Sequence, residues 1–392
     1  MSTGRIYLRA GRDGPVRGGN PWIFSQAIDR VDPADLAAGS RAELYDAGGD
    51  LIGVGYYNPR TTIAVRMLAW GAAPSIPEII HRRLESAAQL RRRFVSDDTD
   101  SYRLLNGDGD GLSGVVVDRY ADVLVVQLLT AGGDLMREEL VAALSSRFSP
   151  RAIIERSQGA VRKQEGLEDR LGVLAGEMVG EAFGLENGIK FIVDLAHGQK
   201  TGTFLDQREN HALAGSLSAG ARVLDAYCYG GGFSLAALKA GAKRVVAIDT
   251  SARALDLVSR NLALNTIDAA AVETFHGEAA EFMSSTAEKF DLVILDPPPL
   301  ARSRADADRA GRMYSELNAF AIKVLAPGGC MLTFSCSAHF RGEDFVHAVR
   351  IGQARARRNL RMLARLGPGR DHPFLLGHSE GEYLTGLLLA DL

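Results

Sequence analysis

One stretch narrows the fold more than any other: VLDAYCYGGGFSLAALKAGAKRVVAIDTSARALD, running from Val223 to Asp256. An apolar strand ends at Asp225, a turn of Gly230, Gly231 and Gly232 follows, and a helix begins at Phe233. Glycine lets a backbone approach a ligand where a Cβ would collide, and a new helix offers free N–H groups. The next strand ends at Asp249, where a carboxylate can hold ribose hydroxyls. Strand candidates at Val223–Asp225, Arg244–Asp249, Val272–Phe275, Leu292–Asp296, Cys330–Ser335 and Tyr383–Ala390 alternate with helical stretches. That alternation is the grammar of a parallel, doubly wound α/β sheet.

Two cofactor classes suit the glycine loop. A dinucleotide site prefers GxGxxG and a pyrophosphate on the helix N-terminus, whereas this chain has GGGF with Asp225 just before it. A carboxylate repels a pyrophosphate and attracts the cationic amino-acid end of S-adenosylmethionine (SAM). The methyl donor is therefore expected. A tight strand–helix junction alone would explain the glycines, but not Asp225 and Asp249 together.

Two further strand ends carry chemistry. Asp296 precedes Pro297, Pro298 and Pro299, which cannot continue a strand and so fix the carboxylate at the sheet edge. The strand after it ends in Ser335-Cys336-Ser337. Carbon 5 of a pyrimidine is a poor nucleophile until a thiolate adds to carbon 6, and cysteine is the side chain suited to that step. Asp296 can stabilise the charge that shifts onto the ring. The base must leave its stack to enter such a site. Cys228 and Cys330 are expected to be small buried hydrophobes, whereas the place of Cys336 beside Asp296 favours a nucleophile.

The other 185 or so residues read differently. Ile6 to about Trp70 gives short strands and turns, with a hairpin signal at Gly48-Gly49-Asp50, suggesting a small β-barrel. An amphipathic helix is expected from Ile76 to Phe94, then a small α+β region with a hairpin around DRYAD, a helix over Leu135–Phe148 and a strand at Ala152–Glu155. The expected domains are 1–75, 76–185 and 186–392. Three cysteines make no disulfide framework and no metal signature, so no metal is expected. The polar N-terminus and the lack of any run of about 20 apolar residues point to a cytoplasmic chain with no membrane partner. A net charge of −3 gives no global pull toward nucleic acid, so RNA affinity must come from local patches.

Taken together, GNPWIFSQAI, GVGYYNPRTTIAVRML, DGLSGVVVDRYADVLVVQLL, HGQKTGTFLDQREN, AYCYGGGFSLAALKAGA, LDPPPLARS and LTFSCS resemble, over almost the whole chain, one family. These are the bacterial large-subunit ribosomal RNA cytosine 5-methyltransferases of the RlmI type. The resemblance implies a PUA RNA-binding domain, a small α+β domain and a Rossmann-like class I SAM-dependent methyltransferase domain. It implies donor contacts from Phe204, Asp206, Gln207 and Arg208, and from Asp225, Tyr227, Gly230, Gly232 and Phe233. Asp249, Thr250 and Ser251 would flank the ribose, and Glu278 would meet the adenine. Cys336 matches the family's nucleophile, and Asp296, also near the donor, its companion acid. Pro299 departs from the family, where lysine, alanine or serine more often follows DPP.

Ribosomal RNA is the implied partner, with a homodimer left open. Seven arginines between Phe345 and Arg370, with no acidic residue among them, form a candidate phosphate-tracking stripe, equally readable as a solvated helix face. Arg91–Arg93 reads as a helix end favoured by its dipole. Trp22, Phe24 and Arg60 are RNA-contact candidates by resemblance to PUA domains, with Trp22 or Phe24 expected in the core. Leu384, Leu387 and Leu389 suit core or an interface. Related enzymes that methylate guanine have asparagine in place of Cys336; that reading, a small-molecule methyltransferase and a catalytically silent assembly scaffold are the alternatives.

Overall fold

The seven-stranded sheet follows directly from the strand–helix alternation. In the computed structural model, which describes residues 3–391 apart from 73, 197, 199, 200, 302 and 338, its strands are β1 (Arg222–Ala226), β2 (Arg244–Asp249), β3 (Val272–His276), β4 (Phe290–Leu295), β5 (Leu325–Ser335), β6 (Leu360–Leu366) and β7 (Thr385–Asp391). His197, Gln199 and Lys200 of HGQKTGTFLDQREN, and Arg302 of LDPPPLARS, thus lie outside the described residues. The strand order is 3-2-1-4-5-7-6. Strands 1 to 5 pair in parallel, while β7 runs antiparallel between β5 and β6. Helices α1 (Arg208–Ser216), α2 (Gly232–Lys239), α3 (Ala252–Leu264), α4 (Ala279–Ser285), α5 (Ala307–Val324) and α6 (Glu343–Ala356) accompany it. Val223, Val245 and Leu292 enter one core cluster and Leu224, Val246 and Val293 the other, so both faces of the sheet are buried. That is why these strands read as continuous apolar runs.

One assignment changes and another is met. β6 falls inside the arginine-rich segment that the sequence offered as one stripe, so Arg350 and Arg355 lie on α6, Arg361 and Arg365 on an edge strand, Arg357 just past the helix and Arg370 in the first unit. Arg358 leaves the set altogether, donating to the Ile322 carbonyl and pairing with Asp391. Leu384, Leu387 and Leu389 are core residues, because β7 is an interior strand.

By compactness the chain forms two units: residues 1–184, 193–205 and 370–381, and residues 185–192, 206–369 and 382–392. The first unit holds a six-stranded sheet built from residues 3–70 and a five-stranded sheet from residues 101–176. The helix Ile76–Phe94 buries Ile79, Ile80, Leu84 and Ala88 in a cluster that takes Tyr56 and Leu68 from one sheet and Val117 and Ile153 from the other. Glu78 accepts hydrogen bonds from the Ser75 N–H and hydroxyl and so starts this helix. Arg91 is fully buried; its guanidinium forks onto Asp110 and reaches the carbonyl of Asp371, and Arg103 N–H donates to the Asp371 carboxylate. The dipole reading of Arg91 is therefore replaced by a buried ion pair. The turn at Ala121 adopts φ 50°, as the tight hairpin between Val115–Tyr120 and Val123–Leu128 requires.

Neither Trp22 nor Phe24 is core. Ile23 between them is buried, and residues two apart on a strand share a face. Trp22 nonetheless has its partners inside the unit: Nε1–H donates to Asp108, and the ring lies against His378 and under Arg66.

Candidate active site

The order 3-2-1-4-5 places the reversal of strand order between β1 and β4, and open α/β sheets hold ligands outside the strand C-termini there. Asp225 and the glycine loop leave β1, Asp296 follows β4, Cys336 follows β5 and Asp249 ends β2. Asp296 N–H donates to the Ala226 carbonyl across the switch point.

The loop after β1 is strained. Tyr227 and Tyr229 sit at φ 69° and 47°, and Gly231 at 83°. A non-glycine residue in this region costs on the order of 1–3 kcal/mol, and such residues gather where a ligand is held. Asp249 carries the loop: one carboxylate oxygen accepts from Tyr229 N–H and the other from Ser251 N–H. Each oxygen keeps a lone pair for a further donor.

The three glycines have three reasons. Gly231 supplies the left-handed turn. A Cβ on Gly232 would stand 2.4 Å from the ring of His211, which is held by Glu186 and by the edge of Phe233. Gly230 would meet only ordinary contacts at 3.7 Å and beyond, so the protein itself does not demand glycine there.

Asp225 is fully buried. Its Oδ2 accepts from the Ser234 N–H and hydroxyl, while Oδ1 has no hydrogen-bond partner among the described residues. Burial pushes this carboxyl up to about 6, against the pull of Ser234 and His211. An orphaned, buried carboxylate oxygen beside an unencumbered glycine fits the ammonium end of SAM.

At the other end of the crevice, Asp296 accepts from the Gln207 side-chain amide at 2.9 Å, and Asn210 donates to the Gln207 carbonyl at 2.6 Å. The Cys336 thiol points to the Pro297 carbonyl at 3.6 Å, which puts the cysteine against the DPPP turn. A buried hydroxyl network fixes both. Tyr314 lies 3.0 Å from Ser335 and from Ser337, on either side of Cys336. Ser337 Oγ in turn accepts from the N–H groups of Leu300 and Ala301, just beyond the prolines. Pro299 is exposed and takes no part in it.

The remaining candidates divide. Asp206 is buried and accepts from Tyr383 at 2.7 Å. Tyr227 is half-buried, and burial pushes its phenol up to about 12. Phe233 is turned into the core against Phe334, so its role is packing. Arg208 is buried at the start of α1. Thr250, Ser251 and Glu278 are exposed at the starts of α3 and α4. Phe204 belongs to the first unit. Cys228 is buried and Cys330 half-buried, and burial pushes both thiols up, away from reactivity. Sequence reading missed Asn210, Tyr314, Ser337 and Tyr383. Asn210 and Ser337 were in view as the last letters of HGQKTGTFLDQREN and LTFSCS; Tyr314 and Tyr383 had no local signal.

Residues 157–375 match the family of S-adenosylmethionine-dependent methyltransferases, and residues 6–70 match the PUA-like domain. Ribosomal RNA large subunit methyltransferase I of Photobacterium profundum is 38% identical over 390 residues, covering 98% of each chain. The enzyme of the same name from Aeromonas hydrophila is 37% identical over 393 residues, again 98% of each. The chain belongs to the ribosomal RNA large subunit methyltransferase I family. Membership makes SAM its cofactor, in accord with the fit at Asp225 and Gly230. Among solved structures, a methyltransferase complexed with SAH superposes with a TM-score of 0.85 at 21% identity, covering 100% of both chains. A SAM-dependent methyltransferase from Streptococcus mutans gives 0.83 at 20%, covering 98% and 99%. At those identities the likeness speaks for the fold. Among the described residues, no helix of this family member is long and apolar enough to cross a membrane.

Proposed function

We propose that this protein forms 5-methylcytosine in 23S ribosomal RNA through a covalent adduct to Cys336. The observation that carries this reading is the thiol of Cys336 lodged against the Asp296-Pro297 turn at the ligand edge of the sheet. The relatives' name supplies the RNA class.

SAM bound here supplies an electrophilic methyl group on a sulfonium. Asp225 holds its ammonium end, Asp249 its ribose, and Gly230 lets it come close. The Cys336 sulfur, as thiolate, bonds to carbon 6 of a flipped-out cytosine, and the pair from the 5,6 double bond makes carbon 5 the nucleophile. Carbon 5 takes the methyl group and the sulfonium becomes a neutral thioether. Loss of the carbon-5 proton to a base then expels the thiolate and restores the double bond. Asp296, held by Gln207, acts as the acid that hydrogen-bonds ring N3, where negative charge builds as the thiolate adds.

Single-stranded ribosomal RNA carrying 5-fluorocytosine tests this reading. Fluorine cannot leave carbon 5 as a proton does, so the wild-type enzyme with SAM should accumulate a protein–RNA species that survives denaturing gels. Absence of that species with fluorocytosine RNA that is otherwise a substrate would move the guanine or small-molecule alternative ahead.

The Asp225 carboxyl makes a second expectation. Its folded pKa of about 6 exceeds the ordinary 3.8, so its stabilising contribution to the unliganded protein is complete below that ordinary value and is lost as pH rises through the folded one. A bound cation favours the ionised form. SAM affinity should therefore fall as pH is lowered through about 6, and Asp225→Asn should flatten that dependence while weakening binding. Calorimetric titration across this range checks it; an unchanged slope in the variant would remove Asp225 from the ammonium site.

A further inference from the structure

We propose that the far edge of the N-terminal six-stranded sheet carries a binding site for an unpaired RNA nucleotide, built on Tyr7, Arg9, Asp29 and Arg30. The inference rests on the RNA-substrate reading and adds a place on the chain where that RNA is held. Trp22, the residue suggested by the PUA resemblance, already uses its N–H and ring inside the unit. The strand bearing it lies at one end of the sheet, and the strands Thr3–Leu8 and Ile28–Asp32 at the other.

At that other end a cavity of about 330 Å³ is lined by Tyr7, Arg9, Asp29, Arg30 and Ala47 among others. Ile6 and Leu8 enter the core, so Tyr7 between them faces outward. Register sets Tyr7 beside Arg30 on one neighbouring strand and Tyr45 on the other. The two tyrosine rings stack at 5.2 Å and 21°, and the Arg30 guanidinium lies 4.2 Å above the Tyr7 ring centre. Arg9 is pinned by a hydrogen bond from its Nε to the Ile28 carbonyl. Arg9 and Arg30 are exposed, and neither forms an ion pair with a described residue, unlike nearby Arg17, which is held by Asp13 and Asp46.

Each part suits one portion of a nucleotide. Tyr7 is covered by Tyr45 and Arg30, so it holds the Arg30 guanidinium plane whose outer face can stack on an unpaired base, while the terminal N–H groups of Arg9 can meet phosphate. Asp29 offers an acceptor to an exocyclic amine. A duplex hides its base faces, so an unpaired nucleotide is the form that uses all four residues.

The test uses the full-length protein and a short fluorescein-labelled oligocytidylate, with anisotropy followed against salt. Arg9→Glu with Arg30→Glu should weaken binding at least about tenfold and lower the slope of log K against log salt by about 1.4, two contacts at roughly 0.7 each for single strands. The SAM affinity and thermal midpoint of this variant should match wild type, since both arginines are exposed. Arg82→Glu with Arg312→Glu makes the same charge change elsewhere on the exposed surface. Wild-type RNA affinity in the first variant, or equal loss in both, overturns the site. Failure of the wild-type enzyme to methylate ribosomal RNA would sink the substrate reading instead, and the oligonucleotide titration would still decide this one.

Discussion

Cys336→Ala should abolish methyl transfer to ribosomal RNA while leaving SAM affinity unchanged. A nucleophile that opens the only route to an activated carbon 5 is worth at least about a thousandfold in rate, because no neighbouring group replaces its lone pair. Cys336 is half-buried and packs against Pro297, so alanine leaves a small void rather than an unpaired charge. Tritiated methyl transfer onto ribosomal RNA from cells lacking the enzyme, with donor binding titrated on the same preparation, separates chemistry from folding. Methylation persisting near the wild-type rate would make the cysteine structural and return guanine to contention.

The second large effect is expected at Asp296. Asp296→Asn keeps the shape and the hydrogen bond from Gln207 but has no acid proton to share with N3, and should lower kcat by roughly 100- to 1,000-fold, the usual loss when one stabilising group is taken from a developing charge. Donor affinity should change far less. Gln207→Leu, which unties Asp296 without removing it, should fall between wild type and Asp296→Asn in kcat. A variant whose loss lies wholly in SAM affinity would reassign Asp296 to the donor alone.

The sheet was legible because its strands are buried on both faces and bounded by glycine and proline. The four carboxylate and thiol positions were legible for a related reason: strand ends at a switch point are fixed by topology, so finding the strands located Asp225, Asp249, Asp296 and Cys336. β6 was not, because Leu360–Leu366 is an edge strand whose Arg361 and Arg365 break the apolar run. Tyr314 was hidden for another reason. It lies one helix away from the residues it steadies, and a tyrosine on the buried face of α5 reads as core until its hydroxyl is seen between Ser335 and Ser337. Trp22 misled because resemblance speaks of position in a fold, whereas its partners Asp108 and His378 come from distant parts of the chain.

Residues 370–381 belong to the first unit although the whole of residues 206–369 precedes them in the chain. Asp371 completes the surroundings of buried Arg91 and Arg103, Pro373 accepts from Asn106, and His378 backs Trp22. During synthesis from the N-terminus, these groups wait without their partners until residues 206–369 and then 370–381 have been made. The first unit thus cannot reach its final form as a nascent domain, and a fragment ending near residue 184 would keep Arg91 and Arg103 short of acceptors. Maturation of the N-terminal part is in this way timed by translation of the catalytic part.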